Sequence, residues 1–305
     1  MIIFIFVDGI GIGKRDTYNP LYMGNFPYFE SLFESHAQYM DPRMGVPGLP
    51  QSATGQTALF TGFNASKLFG SHKEGFPGTS LKNMLKDDSL FKKCVNFGYS
   101  PTFANAFLVN DPETLLTKQY VSVTTYMTLT SIGKVRTIAD LNKGKAVFQD
   151  ITNQMLVEGT FMDRYERFFP EIKEIAAGPD FKKVDVVSPE KAAQALVSLT
   201  HDHDLVLFEY FQTDDAGHKQ DMDRALEVLG DLERFVRTVF KSVDPNKTTC
   251  ILTSDHGNIE DLSVGTHTEN KVPFIVVGKG EKYLKKIHQI YDVTPAIIEN
   301  IHFLL

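Results

Sequence analysis

Asp8 in Ile5-Phe6-Val7-Asp8-Gly9, Ser52 at the head of Ser-Ala-Thr-Gly-Gln-Thr-Ala-Leu-Phe-Thr-Gly, Asp214 and His218 four residues apart, the adjacent pair Asp255-His256, and His267 in Thr-His-Thr-Glu-Asn-Lys-Val-Pro-Phe are residue types that bind divalent metals. Carboxylate oxygens and imidazole nitrogens together suit such ions, and a serine hydroxyl beside them becomes a nucleophile. Taken singly, each Asp reads as a helix cap or turn residue and each His as a satisfied core or surface residue. The set is informative because of where its members fall relative to the strands.

Four apolar, β-prone runs punctuate the chain: Ile2 to Val7, Leu205 to Phe208, Cys250 to Thr253 and Pro273 to Val277. Continuous runs of this kind suit strands buried on both faces of a parallel sheet. Between the second and third, Met222, Leu226, Leu229, Leu232, Phe235, Val236 and Val239 recur at helical spacing. Strand, long helix, strand is a crossover unit and predicts a parallel α/β sheet. Asp8, the Asp214/His218 pair and Asp255-His256 each follow a run, so three segments deliver donors to the carboxyl edge, where open α/β sheets bind ligands. Near the end, Thr294 is placed to cap a last helix and Pro295 to open it.

Residues 70–185 have a mixed pattern, with a strand-like stretch from Val121 to Tyr126 and a helix-like one from Tyr165 to Ile175. They are expected to form an inserted α+β cap, so that the core is built from 1–69 and 186–305. Ser52 precedes a helix-like segment, where it reads either as a cap or as a nucleophile aimed at a phosphate held by the helix N-terminus. Thr54 is its rival on these grounds.

In chain order this set resembles the alkaline phosphatase superfamily, whose ligands run Asp, then Ser, Thr or Cys, then Asp, His, Asp-His and His. Asp8-Gly-Ile-Gly-Ile-Gly is similar to the first motif of phosphopentomutases. His267-Thr-x-Asn270-x-Val272-Pro273 resembles the last motif of cofactor-independent phosphoglycerate mutases. Ser52-Ala-Thr-Gly55 aligns with the mutase nucleophile, and Ala58-Leu-Phe-Thr-Gly62, which resembles a sulfatase segment, counts back to the same serine. The resemblance implies a three-layer α/β/α fold with a mostly parallel sheet. It also implies two divalent metal ions, manganese or zinc with magnesium as the alternative. One would be held by Asp214, His218 and His267, the other by Asp8, Asp255, His256 and the Ser52 oxygen.

The expected activity is a phosphatase-like phosphoryl transfer from a small phosphate ester through a phosphoseryl intermediate at Ser52. The alternative is an intramolecular phosphotransferase, with a phosphodiesterase or a non-catalytic metal-binding domain ranked lower. Gln56 stands where the mutases usually carry a histidine, and Gln is neither acid nor base. Ser52 also lacks the Pro-Ser-Arg that follows the sulfatase nucleophile. Lys14, Thr54, Gln56, His72 and Arg136 are the candidate substrate contacts; Arg164 and Arg167 are the other arginines of the insert.

Over 305 residues the net charge is -7, with 42% hydrophobic and 23% charged residues. That balance fits a globular chain and argues against a general nucleic-acid binder. Cys94 and Cys250 lack metal-like spacing and read as free buried thiols. No run reaches membrane-spanning length, and a cytoplasmic location is expected. Gly9-Ile-Gly-Ile-Gly-Lys14 lacks the glycine spacing of a nucleotide loop, with Arg15 where Ser or Thr belongs. His201-Asp-His-Asp204 reads as a solvated turn, and His36, His288 and His302 as structural.

Overall fold

Every side chain of β1 (Ile2–Val7) is buried, which is what an unbroken apolar run demands of a central strand. The computed structural model describes residues 1–109, 113–118, 120–161, 166 and 172–305. The remaining strands are β2 (Ala37–Met40), β3 (Pro101–Phe103), β4 (Ala106–Phe107), β5 (Arg136–Thr137), β6 (Leu205–Tyr210), β7 (Thr249–Thr253) and β8 (Val272–Gly278). Six of them form one sheet in the order β2-β8-β7-β1-β6-β3, and β4 and β5 pair separately. β1 lies parallel to β6 and β7, and β3 parallel to β6.

The helices that flank or reach the sheet are α1 (Pro27–His36), α2 (Ser52–Thr61), α3 (Thr79–Asp88), α4 (Leu90–Asn96), α5 (Val123–Ile132), α6 (Ile172–Ala177), α7 (Pro189–Ser198), α8 (Gln212–Lys219), α9 (Met222–Ser242) and α10 (Val293–Glu299). Strand side chains alternate between two apolar layers. Ile2, Phe4 and Phe6 join Leu59 and Phe60 of α2, Leu85 of α3, Phe91 of α4 and Met127 of α5. Ile3, Ile5 and Val7 join Leu32 of α1, Leu196 of α7 and the Leu229, Leu232 and Val236 stripe of α9. The result is the expected three-layer α/β/α arrangement.

β8 runs antiparallel to β7, pairing Thr253 with Phe274. Its amino end therefore lies at the carboxyl edge of β7, so His267, which precedes it, arrives at the same edge as residues that follow parallel strands. Within 70–185, β3 joins the main sheet, and α3, α4 and α5 pack into the same apolar layer as β1. A smaller cluster containing Leu108, Ile138, Phe148, Leu156 and Ile172 lies within the same stretch.

Two local expectations are corrected. Val121 to Tyr126 is not a strand: Ser122 caps α5 by accepting from the Thr125 amide, and Thr128 and Thr130 return their hydroxyls to carbonyls four residues back. Local hydroxyl bonding and burial of Val123 and Met127 outweigh the β-preference of the β-branched residues. Thr294 does not cap α10, which begins one residue earlier after Asp292; its hydroxyl instead donates to the Leu59 carbonyl at 2.7 Å, tying α10 to α2. Of the helix-like stretch from Tyr165, the part from Ile172 lies in α6, whereas Tyr165, Arg164 and Arg167 lie outside the described residues. Cys94 and Cys250 are free and buried, as expected. Among the described residues no helix is long and apolar enough to cross a membrane.

Candidate active site

Asp8 leaves β1 with its amide donating to the Tyr210 carbonyl at 2.8 Å, so the parallel pairing of β1 and β6 sets its height above the sheet. Thr213 donates to the Asp8 carbonyl at 2.5 Å, fixing the start of α8 against it. Asp214 and His218 then stand one turn apart on α8, on the same face. Asp255 and His256 follow β7, and both are wholly buried. Ser52 is the first residue of α2, with Gln51 at the cap position.

These segments converge. Ser52 Oγ lies 2.9 Å from His256 Nε2, and the same nitrogen is 3.1 Å from Asp8 Oδ1 and 3.6 Å from Asp255 Oδ2. His218 Nε2 lies 3.2 Å from His267 Nε2 and 3.4 Å from Asp214 Oδ2. His267 Nε2 is 3.5 Å from Asp214 Oδ1. The His256 and His267 rings stack at 3.8 Å, joining the two groups into one cluster. All seven residues singled out from the sequence are thus brought together.

Each histidine turns its Nδ1 to a main-chain carbonyl: His218 to Gly265 at 3.0 Å, His256 to Gly257 at 3.3 Å and His267 to Pro50 at 2.7 Å. In a neutral ring that contact places the proton on Nδ1 and leaves Nε2 with its lone pair facing the cluster. Asp8 Oδ1 and both carboxylate oxygens of Asp255 are buried without a hydrogen-bond partner. Buried carboxylate oxygens are costly unless a proton or cation satisfies them.

The electrostatics reflect that crowding. Burial drives Asp255 well above the ordinary carboxylate value, with Asp8 and Asp214 adding repulsion. Burial also raises Asp8, again with help from Asp214. For His256, burial is outweighed by the Asp255 and Asp8 carboxylates, which hold it up at about 10. His218 is pushed up to about 9 by its Asp214 partner. His267 falls to about 4 through burial and the nearby His256 charge. Burial opposes ionisation of Asp214, yet the His218 contact and the neighbouring histidine charge keep it below the usual carboxylate range.

Three residues in or beside the cluster escaped the sequence reading. Asn258 donates to Asp214. Glu260, almost fully buried, accepts from the Gly11 and Asn258 amides at 2.8 Å each, from Asn270 Nδ2 at 2.9 Å and from the Thr268 hydroxyl. Glu209, on β6 beside the site, is buried and takes a 2.6 Å hydrogen bond from Thr124; burial lifts its pKa to about 8. A signal for Glu209 was present, because a carboxylate inside a doubly buried strand is rare without a role.

The candidate substrate contacts are dispersed. Gln56 reaches the cluster, donating to Asp8 Oδ2 at 3.1 Å. Thr54 instead donates to the Gln51 carbonyl and accepts the Lys73 amide. His72 spends both ring nitrogens on Ser66 Oγ and the Val46 carbonyl. Arg136 is bound to the Lys145 carbonyl at 2.7 Å, Thr102 at 3.0 Å and His203 at 3.1 Å. Lys14 is exposed. The His201 to Asp204 turn is not simply solvated: His203 braces Arg136, and Asp204 accepts from the Ser100 amide and hydroxyl at 2.8 and 2.9 Å.

A cavity of about 370 Å³ opens beside the cluster, with Asp8, Ser52, Gln56, Glu209 and Asp214 on its polar side.

Residues 1–304 match the family model described as the metalloenzyme superfamily. Over 145 residues, 42% of the chain, the sequence is 32% identical to a 2,3-bisphosphoglycerate-independent phosphoglycerate mutase of Clostridium kluyveri. The match covers 28% of that relative, and the chain spans less than a third of the length of each of the first curated relatives it matches. Among solved structures, the PH0037 protein of Pyrococcus horikoshii superposes with a TM-score of 0.59 at 13% identity, covering 99% of this chain and 96% of that one. The alkaline phosphatase of the Antarctic bacterium TAB5 gives 0.57 at 12% identity, covering 99% and 98%.

Proposed function

The chain belongs to the metalloenzyme superfamily, and on that premise we propose that it moves a phosphoryl group from a small phosphate ester through Ser52. The observation that carries the proposal is the set of buried carboxylate oxygens without donors, on Asp8 and Asp255, facing histidine Nε2 atoms within ion-binding reach. That arrangement suits divalent cations, which would take over the compensation that His256 and added protons supply in the metal-free cluster.

Asp8, Asp255, His256 and Ser52 make one ligand set, and Asp214, His218 and His267 the other. Mixed carboxylate and imidazole donors suit manganese or zinc, with magnesium as the harder alternative. When bound, such ions act as Lewis acids on phosphate oxygens and favour the ionised serine hydroxyl.

The chain's own contribution is position. Ser52 opens α2, so the first-turn N–H groups and the positive end of the helix face an incoming phosphate. Ser52 Oγ gives up its proton and forms the bond to phosphorus as the ester P–O bond breaks, and one proton is returned to the departing oxygen, which leaves as an alcohol. A second oxygen nucleophile then removes the group from Ser52. Gln56 holds Asp8 by donating its side-chain amide and is itself neither acid nor base.

For the fate of the phosphoryl group, the mutase relatives favour return to a second hydroxyl of the same substrate over transfer to water. The test incubates manganese- or zinc-loaded protein with phosphoglycerates and a panel of phosphomonoesters, and reads isomerised ester and free phosphate together. Ser52→Ala should abolish both while metal content stays near that of the parent; full turnover in that variant overturns the assignment.

A further inference from the structure

We propose that the cavity beside Ser52 selects phosphate esters whose carbon skeleton is uncharged and largely apolar, a second hydroxyl being its only polar group. The proposal rests on the phosphoryl-transfer reading above and adds the substrate class to it.

Away from the Asp8, Ser52 and Asp214 side, Phe107, Leu108, Phe148 and Ile172 make an apolar wall, broken by Asn105, Ser122 and Thr125, whose polar groups suit a hydroxyl. Leu108 and Phe148 belong to the small apolar cluster, so their positions are set by packing behind the wall. Phe76 and Tyr120 stand at the rim, ring to ring at 5.6 Å in an edge-on contact. Both remain about two-fifths exposed, at 43% and 40%. A bound apolar group would cover that exposed ring surface, and the apolar area removed from water is the source of affinity.

Charge gives the sharper argument. Among the described residues lining the cavity there is no lysine, arginine or histidine; the acids are Asp8, Asp214, Asp215 and Glu209, the last held largely protonated by burial. Asp215 is paired with Lys219 at 2.7 Å. Arg136, the described arginine of the insert, is committed to Lys145, Thr102 and His203 and does not line the cavity. Among the described lining, away from the metal ligands, a carboxylate on the skeleton would face hydrocarbon and the acids Glu209 and Asp215, with no cationic side chain of that lining to pair it. The volume, about 370 Å³, lies at the small end of ligand pockets and suits a phosphate with one ring or a short chain. The phosphoglycerate skeleton of the named relatives does not meet these conditions.

Binding to manganese-loaded protein, measured by calorimetry with phosphonates that cannot be turned over, separates this proposal from the reaction itself. 3-Phenylpropylphosphonate should bind roughly 10- to 100-fold more tightly than methylphosphonate. 3-Phosphonopropanoate should gain nothing over methylphosphonate. Phe76→Ala should narrow the ratio between the phenylpropyl and methyl probes several-fold, and Leu108→Arg should raise affinity for 3-phosphonopropanoate. Equal binding of the phenylpropyl and methyl probes overturns the proposal, as does tighter binding of the carboxylate probe or of (2-trimethylammonioethyl)phosphonate, which would use the rim rings as a cation cage. If methylphosphonate and inorganic phosphate both fail to bind the loaded protein, the phosphoryl-transfer reading fails and takes the substrate class with it.

Discussion

Asn258 donates its side-chain amide to Asp214 twice, to the main-chain carbonyl at 3.2 Å and to Oδ1 at 2.7 Å. The loop after β7 thereby holds a residue delivered by the helix after β6, across the top of β1. The approach is close: a Cβ at Gly217 would come within 2.4 Å of Asn258 Oδ1. Asp255 and Asp214 thus belong to one rigid assembly, because the segment carrying the first also aims the second.

Asn258→Ala should weaken metal retention with little change in fold. Partners that orient a ligand typically contribute 10- to 100-fold in metal affinity. A competition titration with a chelating dye would measure it. Affinity unchanged within about twofold would show that Asp214 is held by α8 alone.

Glu260→Ala should destabilise the protein rather than act through chemistry. The Gly11 and Asn258 amides, Asn270 and the Thr268 hydroxyl all lose their buried acceptor. A buried donor left unmatched costs about 1–3 kcal/mol, and rearrangement will recover part of the sum, so a loss of about 2–4 kcal/mol is expected. Chemical denaturation of metal-free parent and variant gives the difference directly. Glu260→Gln, which keeps one acceptor oxygen, should fall between them.

Asp8, Asp255 and His256 were legible because they follow strand ends, and the strands announce themselves as unbroken apolar runs; Asp214 and His218 lie further on, in the helix after β6. Asp8 after Ile2–Val7 and Asp255 after Thr249–Thr253 need nothing beyond that edge rule. His267 was harder, since it precedes its strand; the antiparallel pairing of β8 with β7 carries it to the edge, and pairing direction leaves no mark on a short apolar run. α5 was misread because Val121 to Tyr126 has strand composition, while its helix depends on Ser122 as a cap and on threonine hydroxyls folding back. β3 in the sheet and Glu209 with Thr124 depend on contacts between segments far apart in sequence, which periodicity cannot register.

Gly9→Ala tests whether the turn after Asp8 is fitted to Asp214. Gly9 has φ +71°, and a Cβ there would meet Asp214 Oδ1 at 2.8 Å and its Cα at 3.0 Å. Gly133 has nearly the same φ, +72°, with nothing within 4 Å of its virtual Cβ. Both substitutions carry the left-handed backbone cost of about 1–2 kcal/mol, so Gly133→Ala is the control. Only Gly9→Ala should also lower metal affinity, by about tenfold or more, because Asp214 must shift. Equal metal affinity in the two variants would refute the fit.

Metal loading should release protons, and its apparent affinity should rise with pH. In the metal-free cluster His256 is held up at about 10 by Asp255 and Asp8, and His218 at about 9 by Asp214. Both are therefore protonated at neutral pH, and each must give up a proton from Nε2 before that nitrogen can act as a ligand. His267, lowered to about 4, is already neutral and contributes none. Because protons compete with metal below these pKa values, the sign is fixed: affinity climbs from pH 6 upward and levels off as pH passes 9 and then 10. Roughly two protons per fully loaded protein are expected at pH 7, one from His218 and one shared by the His256–Asp255 pair. Calorimetric titration of manganese in buffers of different ionisation enthalpy counts them, and the pH dependence of affinity gives the slope independently. Proton-neutral binding at pH 7, or affinity that falls as pH rises toward 9, would mean that His256 and His218 do not ligate through Nε2.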